Sequence, residues 1–305
     1  MAQEWTSRKR VQAALNHQEP DRVPLSMTIT EIPYLRLREL LGLPPDPTAR
    51  PNRFGEIMPG IDLVKSLGFD TTPLKLASPK VNIAPSQTAD GTVFDEWGVG
   101  RKRVELGGGA FLLEVTHSPM DGKHPDEINL EDYPWPNPLD PGRVAGLTER
   151  AHSLYEETEL ALMGRFGGTI MEQATFLRGY ETWMMDLALY PDFAIQLMER
   201  ITDIQILLDE VGIRAAGKYL SIFKASGEDL GMQDRPMFSQ KIWQDLLRPI
   251  LGRRWKAARR ALDKSGAEHV KLMLHSDGAI RSFIPDLIED GIEVLDPIQT
   301  SCVGM

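Results

Sequence analysis

Residues 270–305 read VKLMLHSDGAIRSFIPDLIEDGIEVLDPIQTSCVGM. An apolar run over 270–274 ends in His275-Ser276-Asp277-Gly278, a helical pattern follows over 280–290, and a second apolar run over 292–295 ends in Asp296-Pro297. Short apolar runs flanking an amphipathic segment of helical period predict parallel strands joined by a crossover helix. Polar groups at the carboxyl ends of such strands are where parallel α/β folds keep their chemistry.

The same alternation runs outward over most of the chain and predicts an α/β architecture. Strands are expected at 22–27, 70–74, 160–165, 219–224, 270–274 and 292–295. Helices are expected at 34–43, 61–68, 171–189, 192–216, 240–264 and 280–290, after a short N-terminal helix over 6–16 with Val11, Ala14 and Leu15 on one face. Ser239 fits the N-cap of the fifth, and Pro249 predicts a kink inside it. Residues 81–141 alternate apolar and polar positions around glycine turns, which predicts an antiparallel hairpin insertion ending in the Pro-rich connector DYPWPNPLDP. The whole chain, 1–305, therefore reads as one domain. No GxGxxG or GxxxxGK[ST] follows a strand, so a barrel explains the pattern better than a nucleotide-binding sheet. Six strand–helix units leave an eightfold (β/α) barrel two units short.

Composition narrows the function. A net charge of -10 disfavours contact with nucleic acid or anionic lipid. The basic cluster Arg253-Arg254-Trp255-Lys256 with Arg259-Arg260 reads as the solvated face of a helix. A single cysteine, Cys302, precludes an internal disulfide and suits a reducing cytoplasm. No apolar stretch is long enough for a membrane span.

Candidate site residues follow from the strand ends. His275 and Asp277 lie two apart on an extended segment and so on one side, as a metal pair, an acid–base pair, or a capped strand end. Glu228 and Asp229, in SGEDLGMQDRP after the fourth strand, are candidate acid–base groups, with Gln233 as an orienting donor. Asp296 and Gln299 close the last strand as candidate substrate ligands. Glu172, just after the strand LALMGR, can project toward the same mouth, and Gly167-Gly168 before it can approach an anion. His117 and His124 read as exposed, TWMMDLALY as a helical core face, and Cys302 as a buried thiol or a soft ligand.

Seven stretches together resemble the uroporphyrinogen decarboxylase superfamily: RVQAALNHQEPDRVP, FDEWGV, YPWPNPLDPGR, LRGYETWMMDLALYPDF, SGEDLGMQDRPMFSQKIWQDLLRP, LHSDGAIRSFIPDLIEDGIEVLDPIQ and the final CVGM. The resemblance spans nearly the whole chain and implies a (β/α)8 barrel with its site at the carboxyl mouth. Family members continue past the matching GM, so it also implies that the last two units are absent and that this chain is a fragment, or else a barrel closed by a partner. An open edge invites association, a homodimer included.

Within the superfamily, the decarboxylase carries an arginine-rich MRQAGRY segment after its first strand; here the chain has LSMTITEIPYLRLREL, with Arg36 and Arg38 well into a helix. The cobalamin-linked methyltransferase branch is more similar around LHSDG. Several of its members bind zinc through a His-x-Cys pair and a much later cysteine. Here the pair is His275 and Asp277, a carboxylate in place of sulfur, and Cys302 lies too close to His275 to match the later cysteine. The resemblance therefore implies a methyltransferase that moves a methyl group between a small O- or N-methyl substrate and a corrinoid on a partner protein. Zinc would sit at His275 and Asp277, and Asp229, Glu228 or Glu172 would protonate the leaving atom. A tetrapyrrole carboxy-lyase and a non-catalytic corrinoid- or partner-binding barrel are the alternatives.

Overall fold

A computed structural model describes residues 5–52, 55–80, 87–107 and 110–305. Its centre is a five-stranded parallel sheet built from β3 (Thr71–Lys75), β7 (Ala161–Arg165), β8 (Leu220–Gly227), β9 (Lys271–His275) and β10 (Val294–Asp296). Each strand pairs with the next one in chain order. Two smaller antiparallel sheets flank it: β1 (Ile29–Thr30) with β2 (Glu56–Ile57), and β4 (Val93–Phe94), β5 (Gly100–Gly107) and β6 (Ala110–His117). The helices are α1 (Ser7–Leu15), α2 (Glu31–Leu40), α3 (Ile61–Ser66), α4 (Leu147–Glu157), α5 (Met171–Arg178), α6 (Tyr180–Leu189), α7 (Pro191–Ala216), α8 (Gln240–Ile242), α9 (Arg248–Lys264) and α10 (Ile284–Glu289). A sheet in chain order with helical crossovers is the order of an α/β barrel wall.

Alternation along the strands divides the sheet into two faces. Leu74, Leu162, Phe223, Leu272 and Leu274 point outward into the large core made with the helices, where Trp183, Trp243 and Trp255 are fully buried. Ala161, Ile222 and Met273 point inward into a separate small cluster with Met163 and Val294. α1 caps that cluster with Val11 and Leu15. Ala14, expected on the same face, is exposed, and Ala13 is buried instead. Fully burying one such aliphatic side chain is worth about 1.5–3 kcal/mol, so this inner cluster holds α1 across the amino ends of the strands.

The expected first strand, 22–27, is not a strand. Pro24 has no N–H to donate, and the Leu25 N–H goes to the Asp70 carboxylate at 2.8 Å. Among the described residues, a single backbone–backbone bond, Asp70 N–H to the Leu25 carbonyl at 2.8 Å, joins the segment to the start of β3, beside the Thr71 to Ser26 hydroxyl bond at 2.8 Å. The parallel sheet accordingly has five strands, not six.

The expected helix over 171–189 is broken in two at Gly179, whose φ of +78° is open to glycine and strained for other residues. Ser239 caps α8 as expected, accepting from the Ile242 N–H at 3.2 Å. Pro249 acts one turn early: α8 passes into α9 through a π-type segment, Trp243–Leu247, because a proline cannot donate to the turn before it. α4, which the pattern did not announce, carries buried Leu147 and Ala151 four residues apart.

The antiparallel sheet within the expected insertion covers 93–117 only, and residues 118–141 form no strand. The start of that insertion, Val81, and its Gly108-Gly109 turn lie outside the described residues. The basic cluster on α9 is not a uniform solvated face. Arg254 is fully buried against Asp209, while Arg253 pairs with Asp203, Lys256 with Asp290 and Arg259 with Asp263. No helix among the described residues is long and apolar enough to cross a membrane.

Candidate active site

Above the apolar inner cluster, the last inward residue of each parallel strand is ionisable. In sheet order these are Lys75, Arg165, Lys224, His275 and Asp296. Lys75 is the register partner of Arg165, and His275 is that of Asp296. A register shift between Lys224 and Ser226 places Gly227 beside His275, so the β8 backbone runs alongside the imidazole.

All of these but Lys75 line a cavity of about 670 Å³ at the carboxyl end of the sheet. Arg165, Lys224, His275 and Asp296 form its floor, Glu172 and Thr175 from α5 one wall, and Trp183, Met184 and Phe238 apolar surface opposite. Asp229 stands at its rim. Trp183 thus combines the expected core position with a place beside the cavity.

Three of the candidate residues converge. Nε2 of His275 is 3.5 Å from the Asp277 carboxylate and 3.8 Å from that of Asp229. One donor atom from each of the three lies within 4.8 Å of the others, which is metal-ligand spacing. On the other edge of the ring, Nδ1 lies 3.3 Å from the Asp296 carboxylate. That carboxyl is held below its usual pKa, first by its hydrogen bond to His275 and also by Lys224, whose Nζ is 3.4 Å away.

The loops that carry Asp229 and Asp277 interlock through their glycines. A Cβ on Gly278, which has φ of +90°, would stand 2.3 Å from the Gly231 backbone. Backbone bonds tie the same loops: Glu228 N–H to the His275 carbonyl, 2.9 Å, and Ala279 N–H to the Met232 carbonyl, 2.8 Å.

Other candidates go elsewhere. Glu228 is fully buried below the cavity and accepts from the Ile170 and Met171 N–H groups at 2.7 and 3.0 Å. Burial raises its pKa to about 7 against the pull of those two donors. It is thus the anchor of the α5 amino end, not a group facing the cavity. Gly167 and Gly168, read as an anion approach, already give their N–H groups to Asp209 (2.8 Å) and Gln205 (2.6 Å). Gln233 and Gln299 meet each other at 3.3 Å, and Gln299 accepts from the Gly278 N–H at 2.9 Å. They brace the C-terminal turn against the Gly231 loop. Cys302 is buried and lies 3.4 Å from the Gln233 carbonyl oxygen, away from the cluster. His117 and His124 are exposed, as expected.

Reading the sequence missed Lys75, Arg165 and Lys224. Their signal was present: each is the last inward position of a strand whose preceding inward residues are apolar or small. Burial lowers the pKa of all three, and Arg165 pushes both lysines lower by like-charge repulsion.

No family model matches the chain, and no curated protein matches it either. Among solved structures, it is similar to a methyltransferase from Methanosarcina mazei, with 18% sequence identity and a TM-score of 0.59, covering 96% of this chain and 76% of that one. At that identity the likeness establishes the fold that the two share.

Proposed function

We propose that this protein is a methyltransferase in which Asp229, His275 and Asp277 bind a divalent cation, taken to be zinc, at the carboxyl mouth of the sheet. The observation that carries the reading is the two-sided environment of His275: two carboxylates gather at Nε2, and a third sits at Nδ1. An imidazole held by a carboxylate on one nitrogen is oriented and made more basic toward a metal on the other. The donor set fits the ion, since zinc accepts imidazole and carboxylate oxygen together. Asp277 stands where the resembling methyltransferases have cysteine, so the ion binds through harder ligands here. When bound, it would act as a Lewis acid on the methyl-bearing oxygen or nitrogen of the substrate.

The protein's own groups do the rest. Trp183, Met184 and Phe238 cover one side of the cavity and limit water. A reduced corrinoid on a partner protein would supply the electron pair that accepts the methyl group as a cation. The electrons of the broken C–O or C–N bond stay with the leaving atom, which takes a proton. Glu172 is the cavity carboxyl assigned to supply it, positioned by the Thr169 hydroxyl at 3.1 Å. Asp229, committed to the ion, is not needed as that acid.

Metal analysis by mass spectrometry on purified protein and on His275→Ala tests the reading. About one zinc per chain, lost in the variant together with methyl transfer to added cob(I)alamin, is the expected result. Zinc-free protein that transfers methyl normally would remove the metal from the proposal.

A further inference from the structure

Lys75, Arg165 and Lys224 set three cations side by side on adjacent strands, facing one mouth of the sheet. Lys75 and Arg165 are register partners, and parallel partners point to the same face about 4.8 Å apart. Arg165 lies at the junction of two spaces: the cavity with the His275 cluster, and a neighbouring one of about 470 Å³ that Lys75 also lines. Among the described residues, neither the Arg165 guanidinium nor the Lys75 ammonium has a hydrogen-bond or ion-pair partner. Arg165 is half-buried, and it differs from Arg178, Arg254 and Arg143, which pair with Asp186, Asp209 and Glu96. A half-buried guanidinium that faces a cavity without a carboxylate partner is placed to take one from a ligand in bidentate fashion.

The fold's other anion-binding elements are already used. The amino end of α5 holds Glu228, and the Gly167-Gly168 N–H groups hold Asp209 and Gln205. An incoming anion therefore meets Arg165 and its lysine neighbours. Glu56 and Glu172 line the same cavity as Arg165, and these carboxylates disfavour a dianion and leave room for a single negative charge.

We propose that Arg165, flanked by Lys75 and Lys224, binds a carboxylate on the substrate, so that the methyl donor is a small methylated organic acid and not a neutral ether or amine. Arg165 on β7 and His275 on β9 are two strands apart, roughly 10 Å, a span that suits a molecule the size of a methoxybenzoate. With its carboxylate on the guanidinium, such a molecule places the methyl-bearing oxygen near Nε2 of His275. That the ligand is a methyl donor rests on the function proposed above, whereas the anion site stands on the cations alone.

Isothermal titration separates the two. Acetate, benzoate and 4-methoxybenzoate, the matching alcohols, and inorganic phosphate are titrated into the zinc-loaded and the zinc-free protein. The carboxylates are expected to bind both forms, the alcohols at least tenfold more weakly, and phosphate no better than the alcohols. Arg165→Gln and Lys75→Gln are each expected to weaken carboxylate binding by about tenfold to a hundredfold. Circular dichroism checks that each variant is folded, and either one that folds suffices for the comparison. Equal affinity for acids and alcohols, no binding of any carboxylate, unchanged affinity in a folded variant, or preference for phosphate overturns the proposal. Carboxylate binding as expected, with no methyl transfer from 4-methoxybenzoate or any other methylated acid, would uphold the anion site and count against the methyltransferase.

Discussion

His275 and Asp296 are register partners on neighbouring parallel strands, and Nδ1 of the imidazole lies 3.3 Å from the carboxylate. The partnership assigns the ring proton to Nδ1 and turns the lone pair of Nε2 toward Asp229 and Asp277. Losing the carboxylate at Asp296 removes the acceptor that fixes the orientation of the His275 ring. Asp296→Asn is therefore expected to weaken zinc binding about 10- to 100-fold, read by competition with a chromophoric chelator. Undiminished affinity would show that the ring needs no such support.

Gly278→Ala strikes the same cluster through the backbone. The new Cβ has no space beside Gly231, and φ of +90° is strained for alanine. The loops bearing Asp229 and Asp277 must separate, so zinc affinity should fall although no ligand is altered. Gly122→Ala, also at positive φ but with open space around it, is the control for strain alone. Equal zinc affinity in the two variants would contradict the interlocking.

Glu172→Gln removes the proton assigned to the leaving atom and leaves the ion ligands in place. kcat for methyl transfer should fall between about a hundredfold and ten-thousandfold, with zinc content unchanged. A variant that keeps its kcat would pass the acid role to another group.

Glu228 predicts a pH dependence of stability. Its folded pKa, about 7, is above the ordinary value of 4.5, so the folded protein holds a proton that the unfolded chain releases between these values. The associated stability is present in full below about pH 4.5 and declines as pH rises to about 7. The full swing is on the order of 3 kcal/mol. Glu228→Gln cannot titrate, so its melting temperature should follow pH less steeply than the parent's between these limits. Parallel curves for the two proteins would argue against the shift.

Asp209 joins the buried Arg254 to the Gly167 turn, at 2.8 Å to each. Asp209→Ala leaves a buried guanidinium unpaired and an N–H without an acceptor. Denaturant unfolding should show a loss of about 3–5 kcal/mol. A loss below 1 kcal/mol would mean that water reaches Arg254.

Much of this molecule was legible in its sequence because strands and helices announce themselves through local periodicity. The strands at 160–165, 219–224, 270–274 and 292–295 fall within a few residues of β7, β8, β9 and β10. The strand expected at 22–27 failed partly at Pro24, within the segment, and partly for a reason outside it: the Asp70 carboxylate captures the Leu25 N–H that a ladder would use. Gly179 splits a helix that apolar spacing alone had continued. In the site, the nearness of His275 to Asp277 was a matter of alternation over two residues and could be read directly.

What the sequence by itself determined is the alternation that gives each parallel strand an outward apolar row and an inward ionisable end. Which of those ends meet was decided by tertiary structure, because strand order and register are long-range facts. Register set His275 against Asp296 and Lys75 against Arg165. The bulge in β8 and the contact of Gly231 with Gly278 brought Asp229, distant in the chain, to the far side of the same imidazole. Adjacent in sequence, Glu228 and Asp229 were assigned together, yet one turned to the helix side to hold α5 and the other to the cavity. Consecutive side chains leave an extended backbone on opposite sides, and only the packed fold says which side holds the site.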